Sequence, residues 1–412
     1  MNPQGIAIAA ASLILLRCAV QVWLEWLNRA HVRRHARTLP EAFRGVMDEA
    51  TYSRSVDYTL AKGRLEQLEL VWDCLVLLLV LFSGLLPWSF RVLADVLGQS
   101  PAAQAAWLFV LGLVLSLPDI PFALYRQFKL EQRFGFNTTT LRTWILDRLK
   151  ALSLATVLGY PLLWLVLKSV EWAGEHWWLW GWAILLGFQL LVMLLAPVLI
   201  LPLFNKYTPL PEGSLKNRLL ALASRTKFAA RAIQVMDGSK RSRHSNAFFT
   251  GFGQFRRIVL FDTLVEQLTE PELEAVLAHE IGHFKKKHIP KTLLLSAAGS
   301  LAGFYVIAFL AQLPAFNSAF GFPSGIAPAL LLFSLLSGTV TFWLSPLAYW
   351  WSRKNEYEAD AYAASVMGGP ADLKGALRKL SEKNLSNLTP HPVYSGFYYS
   401  HPTLLEREAA LK

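Results

Sequence analysis

The stretch Trp177-Trp-Leu-Trp-Gly-Trp-Ala-Ile-Leu-Leu-Gly-Phe-Gln-Leu-Leu-Val-Met-Leu-Leu-Ala-Pro-Val-Leu-Ile-Leu-Pro202 contains no charged side chain. A helix needs about 20 apolar residues to cross ~30 Å of hydrocarbon, so this run reads as a membrane span. Six more runs read the same way: Ile6–Leu27, Val71–Leu93, Ala103–Leu124, Ala151–Leu167, Leu293–Leu313 and Pro328–Trp350. The expected fold is a predominantly α, polytopic membrane protein with seven transmembrane helices. Composition agrees: 54% of the 412 residues are hydrophobic and 17% charged, against roughly 25% charged in a soluble domain. Intrinsic disorder, collagen-like repeats and a small disulfide scaffold are excluded. The two cysteines, Cys18 and Cys74, sit inside apolar runs.

The net charge is +11, from 40 Lys+Arg against 29 Asp+Glu. Membrane proteins gather such an excess in cytoplasmic loops, and no nucleic-acid motif accompanies it, so the expected partner is the lipid bilayer and not nucleic acid. The link after the first span carries Arg29, Arg33, Arg34, Arg37, Arg44, Arg54, Lys62 and Arg64. The link between spans three and four carries Arg126, Lys129, Arg133, Arg142 and Arg148. The links around Gln99–Ser100 and Pro314–Gly325 carry none. This alternation predicts an outside N-terminus and a cytosolic C-terminus. The segment Asn205–Pro290 and the C-terminal tail then meet on the cytosolic side. The expected division is 1–204 (spans one to five), 205–290 (first catalytic segment), 291–351 (spans six and seven) and 352–412 (second catalytic segment). Arg17, Asp73, Asp119, Lys168 and Gln189 lie within spans, where polar groups face a bundle interior or a wet cavity.

The chemistry is concentrated in Thr269-Glu-Pro-Glu-Leu-Glu-Ala-Val-Leu-Ala-His279-Glu280-Ile-Gly-His283. Thr269 and Glu272 have the spacing of a capping box, and Pro271 is tolerated in a first turn. The helix they start places His279 and His283 four residues apart on one face, with Glu280 beside them. That is the HExxH pattern: two imidazoles for zinc and a carboxylate to act as general base on water. His288 would project about 140° from His283 on an unbroken helix, which makes it a surface residue among Lys285, Lys286 and Lys287.

A catalytic zinc takes three protein ligands and one water. The best source of the third is Asn355-Glu356-Tyr-Glu358-Ala-Asp360, continuing the helix of the seventh span. Glu356 and Asp360 share a face and Glu358 points elsewhere; Asp360 could instead hydrogen-bond a ligating imidazole. Zinc in such a set lowers the pKa of its bound water towards ~7 and polarises a carbonyl, so the expected reaction is peptide-bond hydrolysis.

Beyond HExxH, the chain carries Glu131-Gln-Arg-Phe-Gly-Phe-Asn137, Ser239-Lys-Arg-Ser-Arg-His-Ser-Asn246-Ala-Phe-Phe, Arg257-Ile-Val-Leu-Phe-Asp-Thr-Leu264, Asn355–Asp360 and Ser400-His401-Pro402. In this order and over most of its length it resembles the integral-membrane CAAX prenyl protease type 1 family, the a-factor-converting zinc endopeptidases. The resemblance implies seven helices enclosing a water-filled chamber above a mostly helical zincin-type (gluzincin) domain with a small β-sheet. It implies one Zn2+ held by His279, His283 and Glu356, Glu280 as general base, and Asp360 as a supporting carboxylate or proton donor. Asn246 would lie on an edge strand that pairs with substrate, and His401 would donate to the developing oxyanion. Ser245–Phe249 and Ile258–Phe261 suit neighbouring strands, joined by a turn at Gly251-Phe-Gly253.

Family substrates are prenylated peptides and proteins that lose the three residues after the lipidated cysteine. Short outside links and the ending Ala-Leu-Lys412 fit a compact bacterial member in the inner membrane, with a eukaryotic one expected in the ER membrane. Two other readings compete. One is a membrane quality-control metalloprotease, although those have fewer spans. The other is a transporter or channel with structural zinc, although structural sites favour Cys and Glu280 would then have no work.

Overall fold

A computed structural model of the chain describes residues 2–44, 47–228, 232–250 and 257–411. Among the described residues five helices are long and apolar enough to cross a membrane: Pro3–His35, Pro101–Glu131, Leu141–Phe204, His288–Ala311 and Ile326–Met367. A sixth is obtained if the bent pair Glu49–Phe82 and Leu85–Leu97 counts as one span.

That pair corrects the expectation of a straight helix over Val71–Leu93. The first helix stops at Ser83, Gly84 adopts φ +79°, and the next helix departs at 53°. Glycine takes this left-handed conformation without a Cβ clash, and Pro87 lacks the N–H needed to extend a preceding helical ladder. The predicted spans four and five both fall within Leu141–Phe204, which is not straight either. A Cβ built on Gly181 would stand 3.5 Å from Val166 Cγ1, whereas those residues would be ~22 Å apart on a continuous helix. The chain folds back at Gly174, which has φ +54°.

Inside the bundle, Leu81, Leu86, Ala105, Ala327 and Leu332 form a sealed core. Arg17 lies against the Ile326–Thr341 helix: its Nε donates to Gln21 Oε1 at 3.0 Å and its Nη1 lies 3.3 Å from where a Cβ on Gly338 would be. Lys168, by contrast, is half open and pairs with Glu171.

The second unit holds a four-stranded sheet in the order β1 (Tyr207–Pro209), β2 (Ala232–Met236), β4 (Arg257–Phe261), β3 (Ala247–Thr250). β2 and β4 are parallel, and the outer pairs are antiparallel, with Ala247 opposite Leu260. The expected strands are therefore present, and the predicted turn at Gly251–Gly253 lies outside the described residues. Leu219 and Leu222 of helix Ser214–Arg225, Ile258 and Leu260 of β4, and Leu273 and Ile281 of helix Glu270–Lys285 make one buried core. The Ile326–Met367 stretch runs from the bundle into this unit, through a short turn at Phe342–Leu344, and delivers Glu356 and Asp360.

Candidate active site

The helix Glu270–Lys285 begins as its sequence dictates. The Thr269 N–H donates to Glu272 at 2.8 Å in a complete capping box, and Pro271 occupies the first turn. Leu273, Ala275, Leu277, Ala278 and Ile281 pack into the unit's core. Gly282 fixes the approach of the second catalytic helix, Ser345–Met367. A Cβ there would lie 2.9 Å from Ala359 Cα and 3.0 Å from its carbonyl oxygen. Backbone-to-backbone contact brings Glu356 against the two histidines.

His279 Nε2 and His283 Nε2 are 3.1 Å apart. Glu356 Oε1 lies 3.3 Å from His283 Nε2, and Glu356 Oε2 lies 3.4 Å from His279 Nε2. Each residue offers a ligand atom within 4.8 Å of the others, and no other such group occurs among the described residues. Two ring nitrogens facing each other this closely need a proton or a cation between them. Glu356 Oε2 is buried without a hydrogen-bond partner, which leaves a full lone pair aimed at the same point. Two imidazoles and a carboxylate form a donor set that suits zinc.

The outer nitrogens of both histidines are also held. His279 Nδ1 is 2.7 Å from Asp360 Oδ1, and Arg407 Nε donates to Asp360 Oδ2 at 2.7 Å. Asp360 therefore touches the His279 imidazole on the side away from the cluster. Arg407 is a residue the sequence reading missed. Its signal was Thr403-x-x-Glu406, a second capping box that starts the helix Leu404–Ala410 carrying it.

The expectation for His288 is corrected. It is 3% exposed, its Nδ1 lies 3.0 Å from His283 Nδ1, and its Nε2 lies 3.2 Å from Glu358 Oε2. The helix does not continue unbroken past Lys286. Lys287 turns left-handed at φ +57°, and His288 begins the new helix His288–Ala311, so its ring comes back beside His283.

Glu280 faces a cavity of about 740 Å³ also lined by His279, Glu356, Asn246, His401 and Arg407. Protein walls around Glu280 push its carboxyl above the ordinary carboxylate range by desolvation, with the His279 and His283 rings pulling the other way. A carboxyl raised in this way is suited to taking a proton and passing it on. His401 Nε2 stands 3.5 Å from Glu356 Oε1, and its side chain is 62% open. Arg353 positions the segment before it by donating to the Tyr399 carbonyl at 2.8 Å. Asn246 precedes β3, the sheet's edge strand; its carbonyl accepts from the Phe261 N–H at 3.1 Å. The cavity continues past Tyr394 and Tyr398 to Glu25, Asn28, Tyr58, Lys62 and Glu66 on the first two long helices. Five of the seven sequence-predicted site residues, Asn246, His279, Glu280, Glu356 and His401, line this space, and His283 and Asp360 stand beside it against Glu356 and His279.

Comparison with known proteins gives the same picture. Residues 28–206 match the family described as CAAX prenyl protease N-terminal, five membrane helices. Residues 209–412 match peptidase family M48. A CAAX prenyl protease 1 homolog of Arabidopsis thaliana is 35% identical over 91% of this chain and 90% of its own. CAAX prenyl protease 1 of Saccharomyces cerevisiae is 36% identical over 90% of this chain and 88% of its own. The Homo sapiens homolog is 30% identical over 97% and 94%. The crystal structure of S. mikatae Ste24p superposes with a TM-score of 0.90 at 34% identity, covering 99% of each chain.

Proposed function

The chain belongs to the CAAX prenyl protease 1 family, multi-pass membrane proteins whose catalytic half is of peptidase family M48, and on that footing we propose that it removes the terminal tripeptide from prenylated CAAX substrates. The observation that carries this reading is one continuous cavity. It joins the His279–His283–Glu356 cluster and Glu280 to the ends of the first two membrane helices. A peptide can reach the cluster while a lipid tail stays at the level of the bundle.

His279, His283 and Glu356 would hold one zinc ion per chain. Zinc there supplies Lewis acidity, which acidifies water and polarises the scissile carbonyl. Glu280 takes the proton of the attacking water and hands it to the leaving amine. His401 opens on the cavity beside Glu356, where a ring N–H can donate to the oxygen that gains charge. Asn246 and the outer edge of β3 would hold the substrate backbone as an added strand. Asp360, fixed by Arg407, keeps the His279 ring turned so that Nε2 faces the cluster.

We extend the reading to topology. Seven crossings follow if the bent pair is one span and the Leu141–Phe204 stretch, which folds back at Gly174, is two. They would enclose a chamber that continues the cavity, with spans one to five in 1–204 and the catalytic segments in 205–290 and 352–412. The basic links favour a site on the cytosolic face, and the short outside links favour a bacterial inner membrane as the setting.

The test is cleavage of a farnesylated CAAX-type peptide by detergent-purified protein, read by mass spectrometry. Glu280→Gln should retain zinc and lose about 10²–10⁴-fold in turnover. Wild type holding zinc but releasing no tripeptide would overturn the substrate assignment. Equal turnover by both proteins would overturn the role of Glu280.

A further inference from the structure

We propose that His288 and Glu358 form a second support arm for the metal site, acting on His283 as Asp360 and Arg407 act on His279. This inference rests on the zinc reading above and names two residues that take no part in it.

With a cation at the cluster, the geometry fits one arrangement of protons. His283 turns Nε2 towards His279 and Glu356, at 3.1 and 3.3 Å. With the Nε2 lone pair committed to a cation, the ring's proton sits on Nδ1. That Nδ1 lies 3.0 Å from Nδ1 of His288, so His283 donates and His288 accepts. The His288 proton must then be on Nε2, which lies 3.2 Å from Glu358 Oε2 and donates to it. The chain His283–His288–Glu358 runs in one direction and leaves each nitrogen matched. An imidazole whose outer N–H is held in this way keeps its tautomer and ring orientation.

Two features show that the arm is built into the fold. His288 is 3% exposed although it follows three lysines in sequence. Its placement also requires Lys287 to adopt the left-handed conformation, which the Cβ of a non-glycine residue disfavours. An ordinary helical Lys287 would carry His288 away from His283.

The two arms differ in kind. On His279 the support is a carboxylate whose charge is met by a buried arginine. On His283 it is a neutral ring backed by a carboxylate that is 34% open to solvent. The His283 arm is therefore the softer of the two, and its loss should loosen the metal without collapsing the unit.

The experiment measures zinc affinity by chelator competition on the full-length, detergent-purified protein. His288→Leu keeps bulk but has no acceptor, and zinc binding should weaken about 10–100-fold. His288→Asn places an amide oxygen where Nδ1 was and should recover most of that loss. Glu358→Ala, on the open side, should weaken zinc several-fold, and it carries the test if the Leu variant does not fold. Wild-type affinity in both His288→Leu and Glu358→Ala would overturn the arm. Equal losses in His288→Leu and His288→Asn would overturn the hydrogen-bonded role and leave only packing. Wild type that holds zinc, with Glu280→Gln inactive, upholds the peptidase reading whichever way these variants fall.

Discussion

In the catalytic unit Leu222 and Ile281 have no exposed surface, while along the membrane helices Val157 and Leu294 are 68% and 73% open. Both regions are helical and rich in the same residues. The difference lies in the solvent each one meets. In the bundle, lipid accepts an outward leucine at no cost, so few positions are constrained by packing. In the catalytic unit the apolar side chains must leave water, and they do so around a sheet and two helices that meet through their backbones. The geometry that chemistry needs is therefore held in the region with the tightest contacts.

The largest effect should come from closing the gap at Gly282. Gly282→Ala places a Cβ 2.9 Å from Ala359 Cα, and backbone cannot rotate away as a side chain could. The helix Ser345–Met367 must shift, and Glu356 moves with it. A displacement near 1 Å at a catalytic group can cost about 10²-fold in rate. Turnover of the farnesylated peptide should fall by at least that factor, with weaker zinc retention measured alongside. Activity within a few-fold of wild type would mean the two helices are not locked by this contact.

A pair of leucines tests the comparison itself. Leu222→Ala in the unit's core should destabilise by about 2–5 kcal/mol. Leu294→Ala on the outward face of its helix should change stability by less than ~0.5 kcal/mol. Denaturant unfolding in detergent, followed separately by zinc release and by loss of helix signal, would read both. Similar losses from the two substitutions would show that the outer face of the bundle is packed, against lipid or against another chain.

The local parts of this architecture could be read from the sequence, and the parts made by distant contacts could not. HExxH spans little more than one helical turn, and the Thr269–Glu272 box is three residues wide, so helix geometry alone puts His279 and His283 on one face. Glu356 and Asp360 share a face for the same reason. Arg407 could not be placed, because its partner Asp360 lies 47 positions away and nothing local links them. His288 was misplaced because its position depends on one backbone rotation, at Lys287, that side-chain periodicity does not encode. The break at Gly84 escaped for a related reason: an apolar run specifies a lipid environment but not a straight path through it. Hydropathy counts residues and is blind to the 53° turn.

The smallest effect concerns the cap that starts the catalytic helix. Burial opposes the charge on Glu272, but Lys379 at 2.7 Å and the Thr269 N–H outweigh it and hold its carboxyl below the usual range. A carboxyl whose pKa is lower in the folded chain than in the unfolded one stabilises the fold while both states are ionised. Its contribution is full above the unfolded value of about 4.3 and is lost as pH falls through the folded value. Glu272→Gln keeps an oxygen for the Thr269 N–H and removes only the charge facing Lys379. Because Lys379 is partly exposed, the loss at neutral pH should be about 1 kcal/mol or less. The gap in Tm between wild type and Glu272→Gln should be widest near pH 7 and should close as the pH drops below about 4. A gap that persisted unchanged into acid would assign the effect to packing against Gly375, whose missing Cβ leaves room for Glu272 Oε1, and would remove the charge on Lys379 from the account of how this helix is set.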